Sequence, residues 1–259
     1  MKLKERLLWT GGRVFHILPP GIPITIPTGI NKGFRWVRGH ANAPEWMGIY
    51  ERSKQMAVSQ FNLRGKTVFD VGANAGFYTL AFSRLVGPKG NVFAFEPLGR
   101  NCDKLLNHLT LNGIENAKVV QCAVADCDGF TAFQIGNSDF AGKLATSGRH
   151  VVPVFSLDSI TERLTHQTPY LVKIDVEGAE AEVLKGADKV LAKSRPKLLI
   201  AIHGQERASK CFAILQSYGY SMETLTRKMV KSADEMGDEI LAVPLDFNKS
   251  GGDGMLESR

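Results

Sequence analysis

Long apolar runs are missing from this chain: none approaches the roughly twenty residues that a membrane-spanning helix needs. The N-terminus, MKLKERLLWTGGRVF, starts with charge. Lys4, Glu5 and Arg6 leave only a three-residue apolar run behind them, too short for the core of a signal peptide. The expectation is a cytoplasmic protein. Cysteine is scarce. Cys102, Cys122, Cys127 and Cys211 are scattered without a C-x-x-C pair, which argues against a zinc ribbon or disulfide framework and predicts buried, reduced thiols. No internal repeat is visible. The Gly-x-Gly-x-x-Gly fingerprint of dinucleotide-binding turns is also absent.

Acidic residues are few at the front of the chain. Residues 1–66 hold eleven Lys/Arg (Lys2, Lys4, Arg6, Arg13, Lys32, Arg35, Arg38, Arg52, Lys54, Arg64, Lys66) against Glu5, Glu45 and Glu51. That segment carries +8 of a total of +6, so the remainder is slightly acidic. Such a segment attracts a phosphate-bearing substrate, an anionic membrane surface or nucleic acid, or is simply a solvated face. Few aromatics interleave with its charges and no RNA-binding module is evident, so nucleic acid is the weakest of these expectations.

What is present is a regular alternation. Residues 1–18 have Leu3, Leu7 and Leu8 near helical spacing, a short basic amphipathic helix. LPPGIPITIPTGI cannot be helical and reads as turns or extended edge. Residues 44–60 read as one helix beginning near Pro44. Strand-like runs then fall at 67–71, 91–96, 117–124, 170–176 and 197–203, with helical patterns at 76–86, 98–112, 156–164, 178–192 and 206–218. The runs at 221–226 and 239–244 have no helix between them and predict an antiparallel pair at a sheet edge. Residues 136–149 read as a Gly/Ser-containing loop in which Lys143 and Arg149 either reach an anionic or sugar acceptor or merely connect strands. The tail NKSGGDGMLESR is polar and Gly-rich, as disordered segments are. Near-continuous apolar strands alternating with helices predict an α/β fold: a doubly wound, mostly parallel seven-stranded sheet with an antiparallel edge strand. Ligands of such sheets bind beyond the carboxyl ends of the strands.

Every residue of chemical interest falls at such an end. The first strand ends in DVGANAGFYTL. Gly72 allows a tight turn, and Gly76 allows a helix N-terminus, with its free amides, to start close to a ligand. Asp70, two residues before Gly72, would repel a pyrophosphate but suits a ligand with a sulfonium and an ammonium group, which describes S-adenosylmethionine. Glu96, at the end of FAFEP, can accept both hydroxyls of a ribose. In QCAVADCDG, Ala123 and Val124 can flank an adenine, while Asp126 either accepts from its amino group or serves the turn before Gly129. In LVKIDVEGAE, Lys173, Asp175 and Glu177 share a face if the strand persists. Three ionisable groups there need partners, as a structural ion pair or as part of a site. His203, closing LLIAIHG, is a structural histidine or a general base at the rim of the same cleft.

VFDVGANAGFYTLAFSRLVGPKGNVFAFEP, NHLTLNGIENAKVVQCAVAD, FSLDSI, PYLVKIDVEGAEAEVLKGA and PKLLIAIHG, in this order, resemble the FkbM family of S-adenosylmethionine-dependent methyltransferases, and GHANAPEWMGIYE is similar to the lead-in of many members. The resemblance covers about residues 39–244. It implies a Rossmann-like class I methyltransferase domain, expected over 61–246; charge and composition set this between a basic extension or cap at 1–60 and a disordered tail at 247–259. It implies O-methylation of a hydroxyl on a sugar, glycan or other secondary metabolite, with N-methylation of a protein or peptide side chain as the alternative. A lipid-linked or membrane-proximal acceptor, with the protein peripheral at the membrane, is a further expectation. Carried over, Asp70, Gly72, Ala73, Asn74, Gly76, Phe77 and Tyr78 fall on the first cofactor motif and Glu96 with Pro97 on the ribose position. Asp175, Glu177 and His203 fall on polar strand ends. His203 aided by Asp175 is the expected base, with Lys173 beside them; a divalent ion on Asp175 and Glu177 is the alternative. Family members commonly carry an acid two residues before the histidine, where this chain has Ala201, so the orientation of His203 is open. An Asn/Asp-Pro-Pro-aromatic motif of amide- and base-directed N-methyltransferases is absent.

Overall fold

A computed structural model describes residues 19–135, 142–145 and 150–245. The expected basic helix at 1–18, the tail at 247–259 and most of the 136–149 segment lie outside the described residues. Two short strands, β1 (Pro23–Thr25) and β2 (Arg35–Val37), pair antiparallel. The single helix expected over 44–60 is two, α1 (Ala43–Met47) and α2 (Arg52–Ser59). Gly48 breaks it at φ 74°, where a Cβ would stand 2.0 Å from the Thr28 carbonyl oxygen. The chain reverses there and carries 50–54 toward the sheet.

Strands β3 (Thr67–Val71), β4 (Asn91–Phe95), β5 (Ala117–Val120), β10 (Leu171–Ile174) and β11 (Lys197–Ala201) run parallel. The antiparallel pair β12 (Tyr220–Thr224) and β13 (Glu239–Pro244) closes one edge, β13 lying between β11 and β12, in the order β12-β13-β11-β10-β3-β4-β5. Helices α3 (Phe77–Val86), α4 (Gly99–Leu111), α6 (Glu180–Lys185) and α7 (Gln205–Ser217) accompany the sheet, α5 (Leu157–Ser159) being a short turn before β10. Two buried cores result: Phe69, Phe93, Ile174, Leu184 and Ile200 lie in one, Trp36, Trp46, Val68, Leu80 and Phe82 in the other. The chain order switches direction between β3 and β10, which opens a crevice at their carboxyl ends.

One run departs from expectation. The strand over 117–124 breaks at Gln121, and β6 (Ala123–Val124) leaves the main sheet to pair with β9 (His150–Phe155). With β7 (Gly129–Ile135) and β8 (Gly142–Ala145) these form a second sheet in the order β6-β9-β7-β8. Alternation explains it: Val152, Val154 and Phe133 turn inward onto Leu98 and Ala123, while Val151 and Phe130 face solvent. Three cysteines are buried as expected; Cys127 is exposed. No helix among the described residues is long and apolar enough to cross a membrane.

His108 ties the β1–β2 hairpin to α4. Trp36 stacks on its ring at 3.8 Å, the Val37 N–H donates to Nε2 at 3.1 Å, and Nδ1–H donates to the Ala75 carbonyl at 2.8 Å. Both nitrogens are committed in the neutral form, and burial pushes the pKa down from 6.5 to about 4. The unfolded chain therefore binds this proton first as pH falls. The His108 contribution is whole above pH 6.5 and drains away between 6.5 and 4. Denaturant titrations of His108→Gln and wild type at pH 7 and pH 4 should show wild type losing about 3 kcal/mol more. Equal losses would mean the histidine is not titrating in the fold.

Candidate active site

A cavity opens where β3, β4 and β10 end. Gly72, Ala73 and Asn74 form its turn, Glu96, Pro97 and Leu98 one side, and Ala123, Val124 and Phe133 an apolar end. Lys173, Asp175 and Glu177 lie beneath, and Trp36, Glu45, Tyr50, Phe77 and Tyr78 form the wall supplied by the N-terminal segment and α3. Gly72 has φ 76°, and a Cβ on it would stand 1.8 Å from the Asp175 carbonyl oxygen. Only glycine allows the turn and the β10 end to approach this closely. Glu96 accepts from the Asn74 N–H at 2.9 Å, the Leu98 N–H at 3.0 Å and Asn101 Nδ2 at 3.1 Å. Burial nevertheless raises its pKa, against those donors and Lys173.

Four residues expected at the site are placed differently by the structure. Asp70 does not reach the cavity: it is 0% exposed and accepts from Lys173 Nζ at 3.0 Å and Thr79 Oγ1 at 2.6 Å. A buried lysine from the neighbouring strand, rather than a ligand, is its cationic partner here. Gly76 does not line the cavity either. Leu105 fills the space its missing side chain leaves, 2.8 Å from where a Cβ would stand, so Gly76 serves helix packing. Asp126 is exposed and outside the lining, because the chain has left the main sheet by Ala123. Asp175 is not the carboxylate bonded to His203. Strand β10 ends at Ile174, Asp175 lies beyond it, and Lys54 and Lys173 reach its Oδ2 at 3.4 and 3.9 Å. Burial alone would raise Asp175; Lys173, Lys54 and His203 more than cancel that and hold it below the usual carboxylate range.

The group that holds His203 is Glu180. Its Oε1 lies 2.7 Å from Nδ1 and also accepts from the Gly178 N–H at 2.8 Å. Glu180 is 0% exposed and starts α6, so the carboxylate comes from the neighbouring β10–α6 turn. Arg207 pins the same turn, donating to the carbonyls of Gly178 at 2.7 Å and His203 at 3.1 Å. The Glu180 hydrogen bond raises the His203 pKa above 6.5, against partial burial and with help from Glu177 and Asp175. Because Glu180 accepts, the proton sits on Nδ1 and Nε2 is the basic nitrogen, 3.5 Å from Glu177.

His203 lines a second, open groove with Glu51, Arg52, Lys54, Thr224, Asp238 and Glu239. Tyr50, Asp175 and Glu177 belong to both the cavity and the groove, so the two communicate. One ligand atom each of Asp175, Glu177 and His203 lie within 4.8 Å of one another, a grouping able to hold a divalent ion. The two ammonium groups on Asp175 already answer much of that charge.

Residues 70–222 match the methyltransferase FkbM domain model. The chain belongs to the FkbM methyltransferase family. It is similar to the hexuronic acid methyltransferase AglP of Haloferax volcanii, 30% identical over 52% of this chain and 55% of that protein. It is also similar to methyltransferase sdnD of Sordaria araneosa, 30% identical over 47% of this chain and 60% of that one. The chain thus spans little more than half the length of these curated relatives. The FkbM methyltransferase structure from Methylobacillus flagellatus superposes with a TM-score of 0.52 at 20% identity, covering 75% of this chain and 46% of that one. The architecture is the class I methyltransferase fold.

Within this family frame, sequence reasoning missed Glu180, Lys54, Glu51, Tyr50 and Glu45. Glu180 had a signal: it lies three residues after Glu177, at the start of a helix, where it can turn back to the loop. Glu45, Tyr50 and Glu51 lie in the GHANAPEWMGIYE stretch that resembles the family lead-in, but no role could be read from it; Lys54 had no signal, because its approach to the sheet is a tertiary contact.

Proposed function

We propose that this chain transfers the methyl group of S-adenosylmethionine to a hydroxyl on a small molecule or glycan. The observation that carries the reading is the junction of the two hollows: His203, held by buried Glu180, stands in a groove that shares Asp175, Glu177 and Tyr50 with the cavity. The cavity fits the cofactor. Ala123, Val124 and Phe133 offer an apolar slot for adenine, Glu96 a carboxylate for ribose, and the α3 N-terminus an anion site for the amino acid carboxylate. When bound, S-adenosylmethionine supplies a methyl group on a sulfonium, already a good leaving group. The protein's part is alignment and proton removal. His203 Nε2 takes the proton of the acceptor hydroxyl as its oxygen attacks, and Glu180 stabilises the imidazolium that results.

A sugar acceptor is supported by the name of the Haloferax relative. The groove adds a constraint: Glu51, Asp175, Glu177, Asp238 and Glu239 outnumber Arg52 and Lys54. A phosphate or nucleic-acid backbone is disfavoured next to the reacting atom. In a lipid-linked or membrane-proximal acceptor, the phosphate would have to lie away from these acids. The same acidic lining favours the second reading, methylation of an amine on a peptide side chain.

Calorimetric titration with S-adenosylmethionine and S-adenosylhomocysteine tests the cofactor, and release of S-adenosylhomocysteine with neutral sugars, uronates and amines, with and without EDTA, tests the acceptor. Micromolar binding and turnover with a neutral sugar is the expected result. Failure of the folded protein to bind either nucleoside sinks the reading.

A further inference from the structure

Glu45 is a buried carboxylate without a full set of partners. It sits on α1, is 9% exposed and lines the cavity beside Trp36, Ala41 and Tyr50. Its Oε2 is buried and has no hydrogen-bond partner among the described residues. Burial lifts its carboxyl to about 7, against the pull of its own backbone N–H and with Glu51 adding to the rise. An unsatisfied buried oxygen costs free energy that a ligand can recover.

The other acids near the cavity differ: Glu177 has a side chain 52% exposed, 3.5 Å from His203 Nε2, and the rest have protein donors or cations. Glu96 has three donors, Asp175 has Lys54 and Lys173, and Asp70 has Lys173 and Thr79. The group Glu45 lacks is therefore a cation or a donor brought from outside. Its place in the cavity narrows the choice. The rings of Trp36 and Tyr50 flank Phe77, with centroids at 6.3 and 5.4 Å, and Phe77 is the first residue of α3. An amino acid carboxylate belongs at that helix N-terminus. The amino group of the same ligand is borne by the adjacent carbon, within reach of the wall that Trp36, Glu45, Tyr50 and Phe77 share. The sulfonium must face the groove of His203, which Glu45 does not line.

We propose that Glu45 receives the ammonium group of the methionine moiety of S-adenosylmethionine, the part for which Asp70 looked suitable in the sequence. The inference rests on the cofactor reading above and adds a residue that sets ligand specificity.

The test is calorimetric titration of the full chain and of Glu45→Gln with two ligands: S-adenosylhomocysteine, and its analogue with the amino group replaced by hydrogen. Glutamine keeps the size of the side chain and removes the charge. The expected result is an affinity loss of about 10- to 100-fold for S-adenosylhomocysteine, with the desamino analogue within about threefold of its wild-type value. If Glu45→Gln does not fold, Glu45→Asp, which shortens the reach, should show the same pattern at smaller size. Equal losses for both ligands, or no loss for S-adenosylhomocysteine, overturn the assignment. Wild-type protein that binds neither ligand overturns the cofactor reading itself, and this inference with it.

Discussion

His203→Ala is expected to lower kcat by about 10²- to 10⁴-fold, the usual worth of a positioned general base, while leaving the affinity for S-adenosylhomocysteine within about threefold. His203 lies in the groove, outside the cavity lining, so its loss should spare the cofactor. The pH profile separates a base from a merely structural histidine. Glu180 raises the His203 pKa above 6.5, so turnover should rise with pH through that raised value and fall away below it, where the imidazole is already protonated. Glu180→Gln keeps an acceptor for Nδ1–H but removes the charge. The acid limb should then move to lower pH, and the plateau should drop because the base is weaker. A His203→Ala enzyme within a few-fold of wild type, or an acid limb indifferent to Glu180→Gln, would remove His203 from the mechanism.

The sheet was legible because its parallel strands are short, largely apolar runs separated by helical patterns, a pattern local enough to read from the chain. Much of the cavity was legible too: Gly72, Glu96 and Asp175 each follow the end of a parallel strand, and the parallel sheet gathers those ends. The limits appear where a partner is distant. Asp70 looks like a ligand-facing carboxylate until Lys173, 103 residues later, is found on it. Ala201 looks like a lost orienting acid until Glu180 fills that role from the neighbouring turn. The second sheet hides in two alternating stretches that are close in sequence to a Gly-rich loop and were overshadowed by it.

Lys54→Met should destabilise the protein by about 3–5 kcal/mol at pH 7, the penalty for removing one partner of a buried ionic cluster. Lys54 has a side chain 2% exposed, and its ammonium contacts Glu51 at 2.8 Å, Asp175 at 3.4 Å and Glu239. These acids come from the turn before α2, the end of β10 and the start of β13, so one cation joins the N-terminal segment to the sheet. Burial alone would lower the lysine's pKa; Asp175, Glu51 and Glu239 reverse that and hold it charged. Methionine fills the volume, so packing is nearly kept and the loss measures the charges left behind. It should therefore shrink with acid. Glu239, which burial already raises, gives up its charge first as pH falls, followed by Asp175, which the lysines keep low. The difference between variant and wild type should be clearly smaller at pH 4.5 than at pH 7 in denaturant titrations. A loss below about 1 kcal/mol, or one that does not change with pH, would show that the cluster contributes packing rather than charge. The expected result would instead make Lys54 the tie that holds Tyr50 and Glu51 over the junction of cavity and groove.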